Sequence, residues 1–75
     1  DVGAATSGPS SEILALWDAA TRAVWGELAH DARTLDQLVS GSGLEAPAVL
    51  AALTALELDG WIRRDPMGAF QRKVA

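Results

Sequence analysis

The chain contains no cysteine, and this absence excludes a disulfide framework and any metal site built from thiolates. It has a single histidine, His30, with no cluster of carboxylates near it in the sequence. A metal site of ordinary coordination needs more donors than this, so we expect no metal and no cofactor. At the predicted C-terminus of a helix, His30 is instead expected to face the helix dipole favourably.

Long hydrophobic runs are also missing. No stretch approaches the roughly 18 consecutive apolar residues of a membrane-spanning helix, and we expect no signal peptide. We therefore expect a domain that does not enter a membrane. A cytoplasmic location is the expectation that suits a chain without cysteine.

The sequence offers no grouping of residues that would support catalysis. The serines gather near the N-terminus and in segment 41–43, with no histidine and acid at a spacing that would activate a nucleophile. Segment 41–43, Gly-Ser-Gly, also lacks the preceding strand and the lysine of a phosphate-binding loop. We expect no enzyme activity and no small-molecule substrate.

Basic residues are scarce, since 6 lysines and arginines face 10 acids and the net charge is −4. Residues 1–60 hold two basic and nine acidic residues, a net charge of −7, whereas residues 61–75 hold four basic and one acidic residue, a net charge of +3. A domain that binds DNA through its own electrostatics is usually basic overall. The charge balance therefore argues against strong autonomous DNA binding and leaves one basic patch near the C-terminus.

The composition divides the chain into two parts. Residues 1–10, DVGAATSGPS, have almost nothing to bury and predict a flexible linker. Residues 11–75 predict one small domain, whose size requires a dense core. An opening linker suggests that the chain is the C-terminal end of a larger protein.

Residues 34–61 predict a helix, a short turn and a second, longer helix. The Thr34 hydroxyl can cap a helix while Gln37 reaches back to the Thr34 backbone, which is a capping-box arrangement. Gly41 and Gly43 are expected to end that helix. A longer helix is expected to begin in segment 44–47.

Two further signals define the longer helix. Pro47 stands in its first turn, where a missing N–H has no cost, and Gly60 can close the helix in the left-handed conformation. A helix, a short turn with glycine and a second helix make a helix-turn-helix, which many DNA-binding proteins insert into a major groove.

Upstream of this unit, apolar residues recur at steps of three and four. At 100° per residue they form one stripe, which predicts a helix from about Ser11 to Leu28. A break at Ala20, with Thr21 capping a second helix, fits the pattern nearly as well. The stripe consists of Ile13, Leu14, Trp17, Ala20, Val24, Trp25 and Leu28.

The two helices of the helix-turn-helix also have predicted core positions, which are Leu35, Leu38, Val39, Val49, Ala52, Leu53 and Leu56. A second ridge on the longer helix, formed by Leu50, Thr54 and Leu58, points well away from Val49. Either the first helix packs on this ridge, or the ridge is a surface for a protein partner. The neighbouring Ala51 and Ala55 would let another helix approach closely.

After Gly60 the pattern changes to two short runs around a Pro/Gly turn, which predict a β-hairpin. Ile62 and Phe70 are expected to point inward, and Trp61 is expected to cover the end of the preceding helix. Segment 33–34 is expected to form a short edge strand. The predicted fold class is therefore mainly α, a winged helix-turn-helix with three helices and a C-terminal hairpin wing.

The basic residues of the wing are the better candidates for DNA contact, because the longer helix has no Arg, Lys, Asn or Gln with which to read base edges. They could neutralise about three or four phosphates and give weak, sequence-independent binding. Cations on a hairpin edge can equally serve to prevent edge-to-edge pairing. The candidates, all expected to project from the wing, are Arg63, Arg64, Arg72 and Lys73.

The segment VWGELAHDARTLDQLVSGSGLEAPAVLAALTALELDGWIRR, followed by a Pro/Gly turn and an aromatic residue, resembles the C-terminal winged-helix domain of the DNA-processing family DprA, also called Smf. The likeness runs from about Val24 to Lys73. The chain departs from the family pattern at Met67, where a second glycine is common, at Ala69, where a basic residue is common, and at Glu45, where Ser or Pro often caps the helix.

The resemblance implies a larger protein whose central Rossmann-like domain binds incoming single-stranded DNA and helps to load RecA during natural transformation. In that setting this domain would be a non-enzymatic accessory that acts mainly through protein contacts, by self-association or with a recombination or transformation protein. The candidate contact residues are Leu50, Ala51, Thr54, Ala55 and Leu58. The alternative is weak DNA binding through the wing.

Overall fold

A computed structural model describes residues 9–73. Four helices are followed by a two-stranded antiparallel hairpin. The elements are α1 (Ser11–Leu16), α2 (Ala19–Glu27), α3 (Leu35–Ser42), α4 (Ala46–Leu58), β1 (Ile62–Arg64) and β2 (Phe70–Arg72). This arrangement confirms the predicted winged helix. The predicted linker lies largely in residues 1–8, outside the described residues, so it stays a prediction.

The first predicted helix is two helices, so a single helix from Ser11 to Leu28 is wrong. The chain is extended at Trp17, and the Asp18 carboxylate accepts the N–H of Thr21 at 2.8 Å, which caps α2. The alternative prediction, a break at Ala20 with Thr21 as the cap, is right that there are two helices. It is wrong about the cap, which is Asp18. An aspartate that bonds a backbone N–H three residues ahead favours a new helix start over continuation of the old one.

The start of α3 confirms the capping box. The Thr34 hydroxyl accepts the Gln37 N–H at 3.3 Å, and the Gln37 side chain accepts the Thr34 N–H at 2.9 Å. The helix ends at Gly43, whose φ of 75° lies in the left-handed region. Gly41 remains inside the helix, so its predicted role as a stop is wrong; a Cβ there would collide with the carboxylate of Glu27.

Both predicted ends of α4 are confirmed. Pro47 lies in the first turn, after Glu45 at the N-cap. At the other end Gly60 has a φ of 83°, the Trp61 N–H donates to the Leu56 carbonyl at 3.0 Å, and the Gly60 N–H donates to the residue 57 carbonyl at 3.0 Å. This pair of bonds is a Schellman motif, which satisfies carbonyls that the helix leaves free.

The core is formed by α2, α3, α4 and both strands. Its buried apolar residues are Val24, Trp25, Leu28, Leu38, Val49, Ala52, Leu53, Leu56, Ile62 and Phe70. The inward positions predicted for α3, α4 and the wing are therefore confirmed, with Leu35, Val39 and Trp61 partly buried beside this cluster. Helix α1 has no buried residue and reaches the core through Leu14 and Trp17.

The wing is held by its turn and by one bridge to the loop before α3. The Asp65 carboxylate accepts the N–H groups of Met67 and Ala69, both at 2.9 Å, and Gly68 takes a φ of 90°. Arg33 and Phe70 exchange backbone hydrogen bonds of 2.9 and 2.7 Å. The bridge confirms the short edge pairing predicted at Arg33.

Candidate functional site

The outer face of α4, which we define as Leu50, Ala51, Thr54, Ala55 and Leu58, is exposed along its whole length. Leu50 is 46% exposed and Leu58 is 82% exposed, although both are large and apolar. The explanation that the first helix packs on this ridge is wrong, because no described element covers it. Helix α2 packs instead against α4 on the core side.

The outer face offers contact surface without polar groups that need a partner. The Thr54 hydroxyl donates to the Leu50 carbonyl at 2.9 Å, so its hydrogen-bonding capacity is partly used within the helix. Complete burial of a leucine side chain stabilises a fold or complex by about 1.5 to 3 kcal/mol. Burial of the exposed Leu58 side chain by a partner would therefore stabilise that complex. A face of leucine, alanine and threonine suits contact with protein and cannot form the bidentate contacts that read bases.

Acidic side chains lie at both ends of α4. Glu45 precedes α4 as its N-cap, is exposed, and makes no side-chain capping bond. Glu57 and Asp59 are exposed at the C-terminal end. The Glu57 carboxylate lies 4.0 Å from the Arg64 guanidinium, and an ion pair this exposed is weak. Phosphate would be repelled at both ends of the helix.

Three of the four predicted wing cations are exposed. Arg63 and Lys73 lie at the surface, and Arg64 lies 4.9 Å over the ring of Phe70 as well as beside Glu57. Arg63 and Arg64 are successive residues of β1, so their side chains leave opposite faces of the hairpin. The proposed role of the three cations in nucleic-acid contact remains a prediction.

Arg72 does not project from the wing, so that expectation is wrong for this residue. Its guanidinium lies 3.7 Å over the ring of Trp25 and donates to the Trp25 carbonyl at 2.6 Å. Burial lowers the pKa of Arg72, and its Nε atom is buried without a partner. Nothing local in the sequence signals this contact, because Trp25 lies 47 residues away.

A cleft of about 310 Å³ lies between the loop after α2 and strand β2. Its lining residues are Leu28, Ala29, His30, Asp31, Ala32, Gln71, Arg72 and Lys73. His30 is exposed two residues beyond the C-cap of α2, and the cleft carries charges of both signs. Residues 9–73 contain no group of three or more side chains that could hold a metal ion.

No single helix in the described part of the chain is long and apolar enough to cross a membrane. Helices α3 and α4 meet the length and composition requirements only when taken together, and they are bent by 113° at their junction.

Residues 4–68 match the family model described as the DprA winged helix domain. The match spans the helices and the turn of the wing and ends before β2. No curated protein and no solved structure matches the chain.

Proposed function

The chain belongs to the DprA winged-helix domain family, and from that premise we propose that it is an accessory domain of a DprA-like DNA-processing protein. Such a protein would act in natural transformation, where single-stranded DNA is bound and RecA is loaded onto it. The domain contributes protein contacts to this process, through self-association or through a recombination partner, and performs no catalysis of its own.

The outer face of α4 carries this proposal. It occupies the position from which a recognition helix would enter a major groove, yet it presents exposed leucines and methyl groups between acidic ends. Contiguous apolar surface on a small domain marks an interaction site. The same surface has no cation to hold a phosphate and no Arg, Lys, Asn or Gln to read base edges.

A pair of cysteine variants tests the protein contact, because the chain has no cysteine of its own. A photocrosslinker is attached to the introduced cysteine. Leu58→Cys places the label on the outer face, and Met67→Cys places it on the wing turn, where the native Met67 side chain is 87% exposed, similar to Leu58. Each labelled chain is irradiated alone and with RecA on single-stranded DNA.

Cross-links from position 58 to a second copy or to RecA, with few from position 67, would support the proposal. Equal cross-linking from both positions, or none from position 58, would contradict it. Circular dichroism of both variants checks that the fold is retained.

Weak DNA binding through the wing is the second candidate function, and the exposure of Arg63, Arg64 and Lys73 favours it. Three phosphate contacts would give a slope of log affinity against log salt of roughly −3. The test is an NMR titration with short single- and double-stranded DNA at low salt and then at about 0.2 M salt. Salt-sensitive shifts confined to the wing would support binding, and no shifts at low salt would remove this candidate.

A further inference from the structure

The C-terminal end of α1 and strand β2 contact the same side chain, the indole of Trp25. We propose that α1 is a detachable strap whose docking through Trp17 is coupled, through Trp25, to the position of Arg72. While α1 is docked, Arg72 is held against Trp25, and when α1 undocks, Arg72 is released to solvent. This equilibrium belongs to the domain without any partner, so it is separate from both candidate functions.

The first observation is the weak attachment of α1. The helix has six residues, none of which is buried, and it reaches the core through Leu14 and Trp17. Among the described residues, no hydrogen bond or ion pair joins segment 10–16 to a part of the chain beyond residue 17. A helix this short is marginal without tertiary contacts, so α1 needs little free energy to undock.

The second observation is that Trp25 is covered from both directions. The Trp17 and Trp25 rings form a T-shaped pair with centroids 5.6 Å apart. The Arg72 guanidinium lies 3.7 Å from the centroid of the Trp25 ring and donates to the Trp25 carbonyl at 2.6 Å. With both contacts in place, Trp25 is 8% exposed. Loss of Trp17 removes a contact that fixes the Trp25 rotamer, and the stacking of Arg72 depends on that rotamer.

The third observation is that Arg72 has few partners of its own. Its Nε atom is buried without a hydrogen-bond partner, and no carboxylate in the described residues pairs with its guanidinium. A buried donor without an acceptor and a charge without a counter-charge both favour return to water. Arg72 also lines the open cleft of about 310 Å³ beside β2, so its side chain can move into solvent without displacing another element.

Undocking of α1 therefore changes the charge that the hairpin presents. Arg63, Arg64 and Lys73 are already exposed, so release of Arg72 supplies a fourth accessible cation. By linkage, an anion that binds the released Arg72 side chain would favour undocking of α1 to the same degree. The strap thus regulates how many cations the wing offers to an anionic partner.

Solvent exchange of the Arg72 Nε–H, followed by NMR, measures release of the side chain, because a buried N–H exchanges only when it reaches water. Two variants weaken the docking of α1. Trp17→Ala removes the ring that contacts Trp25, whereas Leu14→Ala removes a different docking side chain and leaves both indole rings in place. The matched control, Leu16→Ala, truncates an α1 leucine that is 84% exposed.

We expect the exchange rate of the Arg72 Nε–H to rise about fivefold in Trp17→Ala and by a smaller factor in Leu14→Ala. The Leu16→Ala control should leave that rate unchanged. The reverse experiment uses Arg72→Gln, with Arg63→Gln as its control. Because coupling between two sites is reciprocal, amide exchange in α1 should rise by about fivefold in Arg72→Gln and should not change in Arg63→Gln.

Results from the α1 variants can overturn the proposed coupling in three ways. Unchanged amide exchange of α1 in both docking variants would show that Leu14 and Trp17 do not hold the strap. Faster α1 exchange in Leu14→Ala without faster exchange of the Arg72 Nε–H would show that α1 undocks alone. An equal rise of the Arg72 rate in Leu16→Ala would show that the effect does not depend on docking.

The reverse experiment gives an independent decision. Unchanged α1 exchange in Arg72→Gln would reject the coupling from the side of the wing. A rise confined to core amides such as that of Leu53, which exchange through global unfolding, would assign Arg72 a purely structural role and also reject it. No DNA and no protein partner is present in these measurements, so their outcome leaves both candidate functions untouched.

Discussion

The inner and outer faces of α4 carry the same kind of side chain and have opposite environments. Leu53 on the inner face is 1% exposed, and Leu58, five residues later, is 82% exposed. The inner face is covered because α2, α3 and β1 pack against it. Apolar composition therefore makes a helix face available for burial, and neighbouring elements decide whether that face becomes core or interface.

The wing repeats this contrast with arginines. Arg63 is exposed to solvent, and Arg72 lies against the Trp25 ring and carbonyl. The two residues are both cations on the hairpin, but only one is available to an outside partner.

Truncation of the two leucines should separate the faces of α4 most clearly. Leu53→Ala leaves a cavity in the core and should lower the free energy of unfolding by about 2 to 5 kcal/mol. Leu58→Ala removes an exposed side chain and should change it by less than about 0.5 kcal/mol. Urea denaturation of both variants measures the difference. A loss below about 1 kcal/mol for Leu53→Ala would mean that α4 is turned differently.

The two arginines should differ by a smaller amount. Arg72→Ala removes a charge-assisted hydrogen bond and a cation–π contact and should cost about 1 to 3 kcal/mol of unfolding free energy. Arg63→Ala should cost less than about 0.5 kcal/mol. Arg72→Lys is the informative control, because it keeps the charge and loses the planar stacking group, so its stability should be intermediate. Equal stabilities of the two alanine variants would contradict the contact with Trp25.

The N-caps of α3 and α4 form a third pair. Thr34 makes a side-chain capping bond and Glu45 makes none. Thr34→Ala should lower the unfolding free energy by about 1 kcal/mol. Glu45→Ser supplies the missing acceptor and should raise it by roughly 0.5 kcal/mol. Thermal melts at one pH compare the stability of each variant with that of the wild-type chain. A loss of stability in Glu45→Ser would show that the Glu45 charge at the helix N-terminus stabilises α4 more than a capping bond does.

The smallest expected effect is the acid response of the α2 cap. Hydrogen bonds from Thr21 hold the pKa of the Asp18 carboxyl below its usual value. Because the folded-state pKa lies below the unfolded-state pKa, the stabilisation is present above the unfolded-state pKa and is lost as pH falls through the folded-state pKa.

The variant Asp18→Asn keeps an acceptor at the cap and cannot titrate there. Its melting temperature should therefore fall less than that of the wild-type chain between about pH 6 and about pH 3. Equal falls in the two chains would contradict a role for Asp18 in the acid response.

Signals confined to a few neighbouring residues predicted the structure well. The capping box at Thr34 and the left-handed closure at Gly60 depend on bonds within one helical turn, and both are confirmed. The same kind of signal was present at Asp18 and was missed, because the apolar stripe from Ile13 to Leu28 continues across the break. Periodicity reports which residues share a face and does not report an interruption of the backbone.

The candidate site was less predictable. The wing cations were predicted from their position after Gly60, yet the direction of Arg72 depends on a tryptophan in a helix at the other end of the chain. The ridge of Leu50, Thr54 and Leu58 was recognised from its spacing, and two alternatives for its cover were open. Only the placement of α1 and α2 shows that it is uncovered in the described residues.

The amino-acid sequence alone was sufficient for the winged-helix fold, the family, the capping box of α3 and the closure of α4 at Gly60, because these depend on short-range hydrogen bonds and on apolar spacing along one chain. Tertiary structure decided which apolar face of α4 is buried in the core and which wing arginine contacts Trp25. It also decided which residues of the N-terminal helix contact the core. Those outcomes depend on packing between residues distant in sequence, and no local pattern contains the direction in which two elements meet.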